Sequence, residues 1–169
     1  PLDALAPLEI GGVNGLLGLV AAARLGLPVL DADGMGRTFP RLGQTTLAQA
    51  VPLCPVALAE PSGGSIVVDC PSHEAAEEAV HGVLPALGSW AAVAFQWCAV
   101  ATFAQHAVRG SITRALAVGQ ALAACRTLAA NAEDVDDVLV GCGVRTAWTG
   151  TVSEVLRWGS TPRGGVATI

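Results

Sequence analysis

Lysine is absent from the 169 residues, so the 9 basic side chains are all arginines, set against 14 carboxylates and a formal charge of -5 at pH 7. A chain so poor in cations cannot neutralise a run of phosphates, and no nucleic-acid partner is expected. Charged residues are scarce as well, at 14% against roughly 25% in an ordinary soluble domain. Hydrophobic residues make up 52%, enough for a sizeable core and too many for intrinsic disorder. The length accommodates one domain, or one domain with a fragment of a second.

An uninterrupted apolar run is also lacking, which matters because the mean hydropathy is +0.54. From Gly82 to Val108 there is no Asp, Glu, Lys or Arg, but Pro85, Gly88-Ser89, Gln96 and Gln105 break the segment. A span needs about twenty nearly continuous apolar residues, so no membrane crossing is expected. Pro1–Leu8 carries Asp3 and no basic start, so no signal peptide is expected either. The five cysteines, Cys54, Cys70, Cys98, Cys125 and Cys142, include no Cys-x-x-Cys pair and have no histidine at a ligand spacing. A zinc site or disulfide scaffold is therefore not expected, and the thiols read as small hydrophobes in a reducing, cytoplasmic compartment. Cys142, between two glycines, is the thiol to check for reactivity.

What is present reads as an α/β chain. Leu5–Ile10 is a short apolar run cut by Gly11-Gly12. A helical pattern follows through Leu16, Leu17, Val20 and Ala23 to a capping Gly26, and Val29-Leu30 begins a second apolar run. Strand, helix and strand in that order imply parallel neighbours. Phe39–Leu53 has no sustained period and reads as loop. Pro55–Glu60 and Ser65–Cys70 flank Pro61–Gly64 as a hairpin. Ser72 caps a helix with Ala76, Val80, Val83 and Leu87 on its buried stripe and Glu74, Glu77 and Glu78 on its wet side.

A strand over Trp90–Trp97 follows, then a core helix from Ser111 or Thr113 to about Ala130, burying Ile112, Ala115, Leu116, Gly119, Leu122 and Ala123. A short acidic helix spans Glu133–Val140, and Thr146–Trp158 with Gly164–Ile169 have β character. The expected architecture is a mostly parallel sheet with flanking helices over 1–158, with a linker and the start of a β-rich C-terminal domain over 159–169.

Chemistry concentrates in Glu9-Ile-Gly-Gly-Val-Asn-Gly15 and Asp31-Ala-Asp-Gly-Met-Gly-Arg37, both at the carboxyl ends of expected strands, where open parallel sheets bind ligands. Gly11 and Gly12 allow a close turn into a helix N-terminus, and Asn14 either caps that helix or donates to a ligand. Neither a Walker loop nor Gly-x-Gly-x-x-Gly is present. Asp31 and Asp33 read as a turn-forming pair, as ligands of a divalent cation, or as catalytic carboxylates. Phe39 and Leu42 stand where a calcium loop would need further oxygens, so neither a metal nor a cofactor is expected. Arg37 fits a clamp for an anionic group, and Thr46 a loop hydroxyl in reach of a ligand. His73, His81 and His106 form no constellation, and His81 pairs with Glu77 one turn away.

Those two motifs, with Ala22-Ala-Arg-Leu-Gly-Leu-Pro-Val29 and Asp31 through Pro40, resemble the S-methyl-thiohydantoin desulfurase family. Arg109-Gly-Ser-Ile-Thr-Arg-Ala-Leu-Ala-Val-Gly119 looks like a later block of the same family, and Gly150-Thr-Val152 like the passage into its β-rich domain. The resemblance implies a glycine-rich segment before Glu9 and a further domain beyond residue 169. It also implies hydrolysis of an S-methylated thiohydantoin to a hydantoin with loss of methanethiol. A carboxylate base from Glu9, Asp31 or Asp33 would then act with donors from Gly11, Gly12 and Asn14, with Arg37 and Thr46 on the substrate. The competing reading is a non-catalytic module that binds a small cyclic amide or assembles as a homo-oligomer.

Overall fold

The computed structural model describes the chain except residues 1, 39, 40, 97, 128–131, 146, 148, 149, 152, 158–164 and 169. The expected linker falls largely on these, outside the described residues. Contacts divide the chain into two compact units, Pro1–Leu116 and Ala117–Ile169.

The first unit opens with the expected crossover in miniature. Leu5 forms a parallel bridge with Val29. Its N–H donates to the Pro28 carbonyl at 2.9 Å, and its carbonyl accepts from Leu30 N–H at 2.8 Å. Helix α1, Gly12–Leu25, connects the two runs and ends on Gly26, which adopts φ 66° as a left-handed cap. Strand β1, Ala32–Asp33, follows. Phe39–Leu53, expected as loop, carries two single 3-10 turns at Leu42–Gln44 and Leu47–Gln49.

Strands β2, Val56–Ala59, and β3, Ser65–Val68, form the expected hairpin. Glu60 organises its turn, accepting from Ser62 N–H at 2.8 Å, Gly64 N–H at 2.7 Å and the Ser62 hydroxyl. Helix α2, His73–Val83, begins at Ser72, whose hydroxyl accepts from Ala75 N–H as the sequence predicts. Strand β4, Ala92–Ala94, lies along β2, and helix α3, Val100–His106, leads to β5, Val108–Arg109, which pairs with β1.

Helix α4, Ser111–Thr127, contains the division between the two units. In the second unit, α5, Ala132–Gly141, is the acidic helix expected from the sequence, and β6, Glu154–Arg157, pairs with β7, Gly165–Thr168.

The expected mostly parallel sheet does not form. Every pairing between the described strands is antiparallel, in the groups β1-β5, β3-β2-β4 and β6-β7. Pro7 removes a ladder donor from the first apolar run, and Gly11-Gly12 ends it early, which leaves a single parallel bridge. A four-residue turn such as Pro61–Gly64 can join only antiparallel neighbours.

Two clusters make the described core of the first unit. Val56, Leu58, Val68, Ala76 and Leu87 pack where α2 covers the three-stranded sheet; Ala32, Leu47 and Phe103 form the other cluster, with Leu8, Leu30 and Val51 around it. Helix α1 buries small Gly15 and Ala22 and leaves Val13 and Leu16 each 62% exposed and Val20 49% exposed. On α4, Leu116 is 58% and Leu122 39% exposed, so the core role expected for it is not observed. Helical periodicity identifies an apolar face without saying what covers it. Among the described residues no helix is long and apolar enough to cross a membrane.

Leu58 is 1% exposed, so Leu58→Ala should lower unfolding free energy by about 2–5 kcal/mol in urea titration, while Val13→Ser should stay within about 0.5 kcal/mol.

Candidate functional site

Gly34 N–H donates to the Leu8 carbonyl at 2.8 Å, which sets the Asp33 loop beside the end of the first apolar run. The Asp33 side chain fastens the same junction. It is fully buried, and its Oδ2 accepts main-chain N–H groups from Ile10 at 3.1 Å, Met35 at 3.1 Å and Gly36 at 2.7 Å. Its Oδ1 is also buried and accepts no hydrogen bond from the described residues.

Glu9 stands at this junction, 7% exposed, and its Oε1 accepts from Asn14 Nδ2. Asn14 lies in the first turn of α1. That helix starts after Gly11, which offers no side-chain cap, and no acidic residue occupies its first turn. The positive end of the helix dipole lies at this turn. Space here is tight: a Cβ at Gly11 would overlap the Thr38 side chain, and one at Gly15 would overlap the Ile10 carbonyl. A Cβ at Gly34 would come within 2.9 Å of the Leu8 carbonyl and 3.0 Å of Leu47.

Thr46 joins the group through Gly34, whose carbonyl accepts both Thr46 N–H at 2.8 Å and the Thr46 hydroxyl at 2.9 Å. Arg37 is exposed on the loop between Gly36 and Thr38. The structure thus brings together Glu9, Gly11, Gly12, Asn14, Asp33 and Thr46.

Asp31 has other partners. Its Oδ1 accepts Ile112 N–H and Thr113 N–H, each at 3.0 Å, and its Oδ2 accepts the Thr113 hydroxyl at 2.6 Å. The pairing of β1 with β5 brings it to the start of α4, which the sequence placed at Ser111 or Thr113, and it serves there as an N-terminal cap. The Thr113 hydroxyl, then the Thr113 and Ile112 amides, hold the Asp31 carboxyl below its ordinary value of 3.8. Other sequence readings hold locally: His81 lies 3.9 Å from Glu77, and His73 opens α2. Glu77, expected only to face water, also accepts Leu42 N–H at 3.3 Å.

Two features escaped sequence reasoning. The contact of Thr38 with Gly11 depends on a loop that has no periodicity. A separate cleft of about 460 Å³, lined by Gln49, Cys54, Cys70, Ser72 and His73 among others, contains none of the expected site residues. Among the described residues, no three or more His, Cys, Asp or Glu side chains cluster so as to hold a metal ion.

A carboxyl held below its unfolded value stabilises the fold above that value and loses the contribution as pH falls through its folded value. Wild type should therefore melt higher than Asp31→Asn at neutral pH, with the gap closing below about pH 4 in melting curves taken from pH 7 to pH 2.

The S-Me-THD-like N-terminal domain model matches residues 1–70, and the S-Me-THD-like C-terminal domain model matches residues 71–166. The two matches meet where β3 leads into α2, whereas the sequence alone suggested a division at 158/159. No curated protein matches. A crystal structure of a protein from Chromobacterium violaceum is similar at 31% identity with a TM-score of 0.72, over 79% of this chain and 38% of that chain. This chain therefore spans well under half the length of that relative. With family models covering residues 1–166 and a solved structure sharing the fold, the chain belongs to the S-Me-THD-like family.

Proposed function

We propose that this chain supplies part of a site that hydrolyses an S-methylated thiohydantoin to a hydantoin with loss of methanethiol. The observation that carries the reading is the buried Glu9 carboxylate, oriented by Asn14 beside the uncapped start of α1. Water adds to the ring carbon that bears sulfur while Glu9 takes its proton. The ring nitrogen, which has gained the C=N electron pair, takes up that proton from Glu9; the carbon–sulfur bond then breaks as the added hydroxyl becomes a carbonyl and gives its proton to the departing methanethiolate. The N–H groups at the start of α1 face charge that develops on the ring during addition.

Asp33 is a positioning residue in this reading. Its hydrogen bond to Ile10 N–H fixes the backbone beside Glu9, and its full burial keeps it from direct proton transfer to a bound ring. Asp31, committed to the start of α4, takes no chemical role. Arg37 and Thr46 flank the rim as substrate contacts. Five free thiols suit a reducing compartment, and we place the protein in the cytoplasm on that ground.

A full-length family protein with Gln at the position of Glu9 should release methanethiol at least about a hundredfold more slowly, with substrate affinity largely retained. Undiminished turnover would overturn the assignment of Glu9.

A second reading, assembly, rests on Val13, Leu16 and Val20, which form one exposed apolar face of α1. Light scattering after size exclusion should find a homo-oligomer, and Leu16→Glu with Val20→Glu should convert it to monomer. A wild-type monomer at micromolar concentration would exclude assembly through this face.

A further inference from the structure

The backbone at Gly11 does not itself require glycine: φ is -76° and ψ 143°, extended values that any residue adopts. The space beside it does. A Cβ at Gly11 would overlap Thr38 Oγ1 and lie 2.9 Å from Thr38 Cβ. The Thr38 side chain thus occupies the place of a side chain at the residue before α1, where a serine or threonine would hold its own hydroxyl. It comes there from the loop after β1, which Asp33 holds through Met35 N–H and Gly36 N–H. Thr38 is exposed, as are Gly12 and Asn14. No described residue comes within 4 Å of where a Cβ at Gly12 would stand, so there is open space next to the Thr38 contact. Glu9, two residues before Gly11, is bonded to Asn14 on the same lip.

We propose that Thr38 is a specificity-determining residue of the Glu9 site, its hydroxyl forming a hydrogen bond with the amide edge of the substrate ring. The inference rests on the reaction proposed above and adds a residue to it. A hydantoin-type ring presents carbonyl acceptors and an N–H donor, and a hydroxyl matches either because it both donates and accepts. The same hydroxyl disfavours an apolar ring of equal size, which would leave it unmatched. In this role Thr38 does not touch the atoms that react. Loss of its hydroxyl therefore weakens the ground state and the transition state alike, and appears in KM rather than in kcat.

The test is methanethiol release by a full-length family protein that carries threonine at the position of Thr38. Thr38→Val keeps the shape and removes the hydroxyl, whereas Thr38→Ser keeps the hydroxyl. Thr38→Val should raise KM about three- to tenfold with kcat unchanged, the loss expected for one neutral hydrogen bond, and Thr38→Ser should stay within about twofold of wild type. An unchanged KM in Thr38→Val, or an equal rise in Thr38→Ser, would overturn the inference. Glu9→Gln, measured alongside, separates the two claims. Undiminished turnover in Glu9→Gln removes the reaction and the role of Thr38 with it; slowed turnover there, with wild-type KM in Thr38→Val, removes the role of Thr38 alone.

Discussion

The first unit turns on one buried carboxylate. Three main-chain N–H groups converge on Asp33 Oδ2, one from the segment before α1 and two from the loop after β1. The Met35 donor, in the buried one of these bonds, would cost about 1–3 kcal/mol if left unmatched. A carboxylate can satisfy all three together because it is an acceptor on every lone pair. Beside it, the bond from Gly34 to Leu8 and the contact of Thr38 with Gly11 tie the Gly34 loop to this segment. Glu9, Gly11, Asn14 and Thr46 all take their positions from that junction.

Much of the local structure is legible in the sequence because it depends on near neighbours. Ser72 ahead of α2, Gly26 behind α1, the Pro61–Gly64 turn and the stripe from Ala76 to Leu87 each rest on residues a few positions apart. The exposed face of α4, expected in the core, differs for a physical reason that α1 shares. Leu16 and Leu116 have the spacing of core residues, but burial requires a second surface, which periodicity does not supply.

The candidate site divides in the same way. Glu9 with Asn14, five positions apart, follows from a motif at the end of an apolar run. Asp31 and Asp33 look equivalent in the chain, yet one caps a helix 81 residues away and the other is sealed within a junction. What separates them is the pairing of β1 with β5, two residues to a strand, too short to leave a pattern in the sequence.

The crowding of main-chain donors on Asp33 bears on how kinship and chemistry are to be told apart. An aspartate needed to hold the backbone together would survive in a descendant that had lost all turnover, because folding alone would select for it. Retention of the Asp-Gly signature therefore marks ancestry, while a pseudoenzyme would be recognised by decay of the Glu9–Asn14 couple, a bond between two side chains.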